Sequence, residues 1–232
     1  MQKAKLISKT QIAESIFELK FETEKQFDFI PGQYITFKID DKKSAVPCFR
    51  SYSISSIPNG NTFEVCMKKI ENGRGSEWIA DLNDGSETDF MGPIGNFTIQ
   101  EDGTKNILFL AAGTGIGPLK SFIENELKKG TTRNMHLIFG VRHIKDIFYK
   151  DFFEELAKKH PNFKFTLTLS QPENDSWKGE KGRVTNILEK MEIDKDTTSG
   201  YICGLKEMVT DCTTMLAQKG VPTDRVYSEK YN

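Results

Sequence analysis

The chain has 232 residues, enough for one large domain or two small ones, and its 37% hydrophobic content supplies a core for either. With 32 Lys plus Arg against 33 Asp plus Glu, the net charge of -1 excludes the overall positive field of a nucleic-acid binder or of a protein held at an anionic membrane. Cys48, Cys66, Cys203 and Cys212 form no CxxC or CxxxxCxxC set, and His136, His143 and His160 form no HExxH pair, so neither a protein-ligated metal nor an iron–sulfur cluster is expected.

The opening "MQKAKLISKT" has basic residues but no apolar signal core, and the apolar run at 107–112 is too short to span a bilayer. A cytoplasmic protein without membrane insertion is expected. Apolar residues then alternate in "IFELKFE", "YITFKID" and "TFEVCMK", and the turn signals "IPNGN" and "NDGS" separate short segments. With one short helix near 76–82, this half reads as a small antiparallel Greek-key β barrel. After "QEDGTKN" the pattern changes. Strands "NILFLAA", "MHLIFG", "FKFTLTLS" and "GYICG" alternate with helices at about 117–129, 151–159, 184–191 and 206–219. Strand and helix in turn predict a parallel, Rossmann-like α/β domain. The boundary is placed near Asp102, giving domains 1–102 and 103–232, with no internal repeat.

Between the first of these strands and its helix stands "AAGTGIGPLKSF". Gly113, Gly115 and Gly117 permit positive φ and close approach of a ligand to backbone amides, and Thr114 lies among them. Pro118 suits the first helical turn, whose free N–H groups and positive dipole end favour a pyrophosphate. The spacing is GxGxGP rather than GxGxxG, and such a turn also occurs as a plain connection. Two further stretches follow strands: "FGVRH" with Arg142, and "CGLKEM" with Cys203 and Gly204. In the barrel half, "RSYSISS" offers the Arg50 fork, the Tyr52 ring and the Ser53 hydroxyl, while Gly73, Gly75 and Ser76 precede the short helix. Together these imply a second ligand bearing phosphate and an aromatic ring.

In order along nearly the whole chain, these motifs resemble the ferredoxin-NADP reductase family. Arg50-Ser51-Tyr52-Ser53 is similar to its RxYS flavin motif, Gly73-Arg74-Gly75-Ser76 to its flavin pyrophosphate loop, and "GPIGNF" to the segment closing its barrel. "GTGIGP" is similar to its GTGIxP nicotinamide-nucleotide loop and "YICGLKEM" to its YxCGLKxM strand end. The resemblance implies FAD as cofactor. Arg50 and Ser76 would hold its pyrophosphate, Tyr52 would lie against the isoalloxazine, and Ser53 would bond near N5. Cys203 would sit by the nicotinamide C4, Glu229 would link Ser53 with solvent as a proton path, and Tyr231 would cover the flavin face. "YSEKYN" is similar both to the ExY end of plant-type enzymes and to the EKF-type ends of oxygenase reductase components.

The implied activity is that of an FAD-dependent NAD(P)H oxidoreductase passing electrons to a separate one-electron carrier, a ferredoxin-like or other small redox protein. A reductase using free flavin as substrate and a non-catalytic nucleotide-binding module are the alternatives. Plant-type members place Ser-Arg where this chain has Ser170-Gln171, so NADH is favoured over NADPH, with Arg142, Lys145, Lys178 and Lys181 as cations that could replace the arginine. Lys38, Lys42, Lys43, Lys68, Lys69 and Arg74 form a candidate basic docking patch.

Overall fold

A computed structural model describes residues 1–39, 46–173 and 176–231. The chain divides into two compact units, Met1–Ile99 with Lys120–Asn125, and Gln100–Leu119 with Glu126–Asn232. Among the described residues no helix is long and apolar enough to cross a membrane.

The first unit is a six-stranded antiparallel sheet built from β1 (Gln2–Ala13), β2 (Ile16–Thr23), β3 (Tyr34–Ile39), β4 (Cys48–Ser53), β5 (Thr62–Lys68) and β6 (Glu87–Ile94). Their order is β4-β3-β6-β1-β2-β5. The expected barrel is present in outline but is not closed by a ladder. Among the described residues its edges meet through the bridge of Ile54 with Val65, the Ser55 N–H donating to the Glu64 carbonyl at 2.8 Å and the Glu64 N–H donating to the Ser56 hydroxyl at 3.0 Å. Alternation buries Leu19 and Phe21, Ile35 and Phe37, and Phe63 and Val65 on the inner face. Phe21, Phe27, Phe37, Phe63 and Phe90 stack there with neighbouring ring centroids 4.9 to 6.3 Å apart. Each buried ring contributes about 1.5–3 kcal/mol. The short helix α1 (Arg74–Asp81) starts two residues earlier than the sequence suggests and lays Trp78 against Phe37 at 5.0 Å. Residues 120–125 belong to this unit by packing: the Phe122 ring meets Phe97 at 5.2 Å, and Lys120, buried, donates to the Ser55 carbonyl and to Glu124.

The second unit is an all-parallel sheet of β7 (Asn106–Ala112), β8 (Asn134–Val141), β9 (Phe163–Leu169), β10 (Glu180–Lys181), β11 (Thr198–Leu205) and β12 (Val226–Tyr231). The order β10-β9-β8-β7-β11-β12 means that the chain builds outward from β7 in one direction and then crosses to its other side. Connecting helices are α2 (Ile116–Lys128), α3 (Lys150–Lys159), α4 (Val184–Lys190) and α5 (Lys206–Gln218). Because both faces are covered, β7 and β8 are nearly continuous buried runs. On one face Leu108, Leu110, Ile138 and Ile202 pack with Val184 and Leu188 of α4 and Val209 and Leu216 of α5.

Candidate active site

In an open α/β sheet the crevice for a ligand lies at the carboxyl ends of the strands where the winding direction reverses. Here that point is between β7 and β11. β7 runs into a single 3-10 turn, Gly113–Gly115, and then α2. Gly113 has φ +54 with open space where a Cβ would stand, whereas a Cβ on Gly115 would stand 2.3 Å from the Cys203 carbonyl oxygen and 2.8 Å from Gly204 Cα. The loop therefore lies directly on the end of β11, at a distance only glycine permits. Thr114 is half-buried beside them, and Gly117 and Pro118 are buried in the first turn of α2.

The last strand completes this cluster. Parallel pairing sets Cys203 opposite Glu229 and Leu205 opposite Tyr231. The Cys203 thiol is fully buried, and burial, reinforced by the Glu229 carboxylate, pushes its pKa well up despite a hydrogen bond from the Tyr231 hydroxyl. It is a neutral thiol, not a nucleophile, at ordinary pH. Two residues upstream, Tyr201 stacks on Tyr227 at 4.8 Å and accepts the Gln100 N–H at 2.8 Å. Asp102 bonds Arg133 at 3.0 Å in the same polar network, which fixes the chain just before β7. The sequence reading missed this network. It joins residues a hundred positions apart with no shared pattern.

Arg142 lies one strand away, exposed after β8, and its carbonyl accepts the Gln171 N–H at 2.9 Å. The Ser170 N–H donates to Val141 at 3.0 Å, so the two loops are stitched together beyond the strands.

In the first unit, β3–β4 register sets Arg50 opposite Phe37, Tyr52 opposite Ile35 and Ser53 opposite Tyr34. Arg50 is exposed and its guanidinium donates to the Phe49 carbonyl at 2.9 Å. Tyr52 is half-buried, its pKa pushed up to about 12 by burial and only partly restrained by Arg50. Ser53 is buried, 7% exposed. A Cβ on Gly75 would stand 2.7 Å from the Tyr52 hydroxyl and 3.8 Å from Arg50 Cγ, so α1 begins directly against the RxYS strand. Gly73 precedes the helix and its carbonyl accepts the Ser76 and Glu77 amides. Ser76 itself is turned inward, 5% exposed, with its hydroxyl accepting the Ile70 N–H at 2.5 Å. Arg74 reaches the Val46 carbonyl at 3.0 Å, so it is engaged within the unit. Of the basic patch, Lys68 and Lys69 are exposed and Lys38 is half-buried, while Lys42 and Lys43 lie outside the described residues.

Both clusters fit a nucleotide: each sets a helix start against a strand end at a glycine whose Cβ would fill the gap, and one carries an exposed arginine beside a neutral tyrosine. Among the described residues no group of His, Cys, Asp and Glu can hold a metal.

Comparison with known proteins agrees with this geometry. The oxidoreductase FAD-binding domain matches residues 3–99 and the oxidoreductase NAD-binding domain residues 109–214. The chain is 31% identical to ferredoxin--NADP reductase B of Sorangium cellulosum, over 99% of this chain and 97% of that protein. It is 27% identical to the ferredoxin--NAD(P)(+) reductase component of the naphthalene 1,2-dioxygenase system of Pseudomonas putida, over 98% of this chain and 70% of that protein. The crystal structure of the Amycolatopsis cytochrome P450 reductase GcoB shares the fold, with TM-score 0.90 and 23% identity over 99% of this chain and 69% of that one. The chain thus belongs to the ferredoxin-NADP reductase family of FAD- and NAD(P)-binding oxidoreductases.

Proposed function

We propose that this protein is an FAD-dependent NAD(P)H reductase that hands electrons to a separate one-electron carrier of the ferredoxin type. The observation that carries this reading is the contact of the Gly115 loop with Cys203 and Gly204 at the switch point, beside Glu229 and Tyr231. When bound, FAD takes two electrons together from a reduced nicotinamide and gives them up singly. The first unit binds the flavin and the second the nicotinamide. Arg50 supplies a charge-assisted fork to the pyrophosphate, Tyr52 a flat uncharged ring, and Ser53 a hydroxyl donor. Ser76 acts on the phosphate loop mainly by holding the Ile70 amide, which keeps the start of α1 in place. Cys203, uncharged and buried, limits the space at the strand end, and Glu229 moves protons to and from solvent. Lacking an arginine after Ser170, the protein favours NADH.

The test is the absorbance spectrum of the purified protein, before and after anaerobic addition of NADH or NADPH, followed by an oxidised ferredoxin. A flavin spectrum bleached faster by NADH and restored by ferredoxin is expected. A protein that is colourless as purified but turns over added flavin would be a free-flavin reductase, and one that binds nucleotide without bleaching would be a binding module.

A further inference from the structure

The sequence of α1 leaves its C-terminal end without a counter-charge. Its last turn carries no basic residue and closes on Asp81, whose charge opposes the partial negative charge of the carbonyl end of a helix. The carbonyls there are answered from a strand. Lys9 of β1, half-buried, donates to the Ile79 carbonyl at 3.0 Å, to that of Ala80 at 3.3 Å and to that of Leu82 at 2.5 Å, so all three ammonium hydrogens go to one helix end. What brings a lysine there is the register shift between Leu6 and Ser8. Ala4 and Leu6 point inward, opposite Thr23 and Phe21, and strict alternation would continue inward with Ser8. The extra residue, Ile7, moves the inward set by one position. Lys9 then stands opposite Leu19, on the face where Ile79 and Leu82 join the core.

The opposite end of this helix is the Gly73–Ser76 turn, to which the reading above gives the flavin pyrophosphate. With eight residues α1 is too short to hold itself, and Gly73 gives it no side-chain cap. At its start the polar ties run to loop residues, from the Ile70 N–H to Ser76 and from Arg74 to the Val46 carbonyl. Lys9 ties it to a strand of the sheet. Two helical turns move as one body, so what seats the carbonyl end also seats the first turn, where Gly75 lies too close to the Tyr52 hydroxyl to admit a Cβ. We infer that Lys9 is a positioning residue for the flavin: turned inward by the β1 bulge, it seats α1 and with it the turn that meets the pyrophosphate. This rests on the first unit being the flavin site.

The experiment is equilibrium dialysis of the full chain, freed of flavin, against FAD and against riboflavin, which has the ring but no pyrophosphate. Lys9→Met keeps the aliphatic stem and removes the ammonium. FAD binding weakens about tenfold, as when roughly one molecule in ten has α1 seated, while riboflavin binding stays within about twofold. Lys9→Arg keeps charge and donors and holds FAD within about threefold of wild type. Lys9→Gln, a milder change, weakens FAD about fourfold and takes the place of Lys9→Met if that variant does not fold. FAD binding by the folded variant within about twofold of wild type overturns the inference and leaves the flavin site intact. An equal loss for FAD and riboflavin makes Lys9 a general support of the sheet and overturns it as well. Failure of folded wild type to bind FAD removes the flavin site and the inference with it.

Discussion

Replacing Gly115 by alanine tests the closest backbone approach in the second unit. The new methyl would stand 2.3, 2.6 and 2.8 Å from the carbonyl oxygen and carbon of Cys203 and the Cα of Gly204, all main-chain atoms that cannot rotate away. To restore ordinary contact at 3.4 Å or more, the loop or the end of β11 must retreat by about 1 Å. Overpacking of this kind costs about 1–3 kcal/mol of stability, and a displacement of about 1 Å at a reacting centre lowers a rate by roughly a hundredfold. Stopped-flow measurement of anaerobic flavin bleaching by NADH should show that loss with flavin content unchanged, since the first unit is untouched. Gly113→Ala is the control: its Cβ meets nothing, so only the left-handed φ of +54 resists, at about 1–2 kcal/mol. A Gly115→Ala protein that bleaches within threefold of wild type would refute the argument that this contact sets the nicotinamide position.

Arg50→Ala should weaken FAD retention about ten- to a hundredfold, read by equilibrium dialysis, because one charge-assisted contact is lost. Unchanged retention would remove Arg50 from the site. Ser53→Ala and Cys203→Ala should slow flavin bleaching while the flavin stays bound. Wild-type Cys203 should resist a thiol-directed disulfide reagent at pH 8 in the native state and react on unfolding, since burial holds its thiol protonated. His136, bonded to Thr166 at 2.9 Å, has its pKa lowered by burial from 6.5 to about 4. A base with a depressed folded pKa contributes stability that is present above 6.5 and lost as pH falls through 4. The unfolding free energy from urea titrations should therefore decline across that window, by up to about 3 kcal/mol, and less steeply in His136→Gln. Equal slopes would discount the buried ring.

Where one face of a strand is buried, the sequence was easy to read. Phe17, Leu19 and Phe21 or Ile35, Phe37 and Ile39 alternate because the pleat alternates. The long first strand gave no such signal, since only Ala4 and Leu6 are buried in it and two register shifts break its period. β12 is an edge strand with no fully buried residue, so "VYSEKY" carries no apolar rhythm although it delivers Glu229 and Tyr231. The site was legible as motifs because glycines are needed at fixed positions, while side-chain direction was not. A serine in a helix-start loop looks the same whether it faces a phosphate or, as Ser76 does, the Ile70 amide. The meeting of Lys9 with the end of α1 depends on a bulge in the β1–β2 register, a tertiary fact without a local trace.

The pairing of β7 with β11 brings Ala111 beside Cys203. Closing a chain of roughly ninety residues costs about 4 kcal/mol of loop entropy, and the cost must be met before the contact gives anything back. β7, α2 and β8 are local to one another and can assemble first, whereas the strand end that lies on Gly115 can arrive only once the intervening residues, 116–202, have been gathered in. On this loop-closure argument the contact of β11 with the glycine loop forms late in folding. Partly folded chains would have the glycine loop without its wall, and a nucleotide spanning both, as proposed above, would favour the last step.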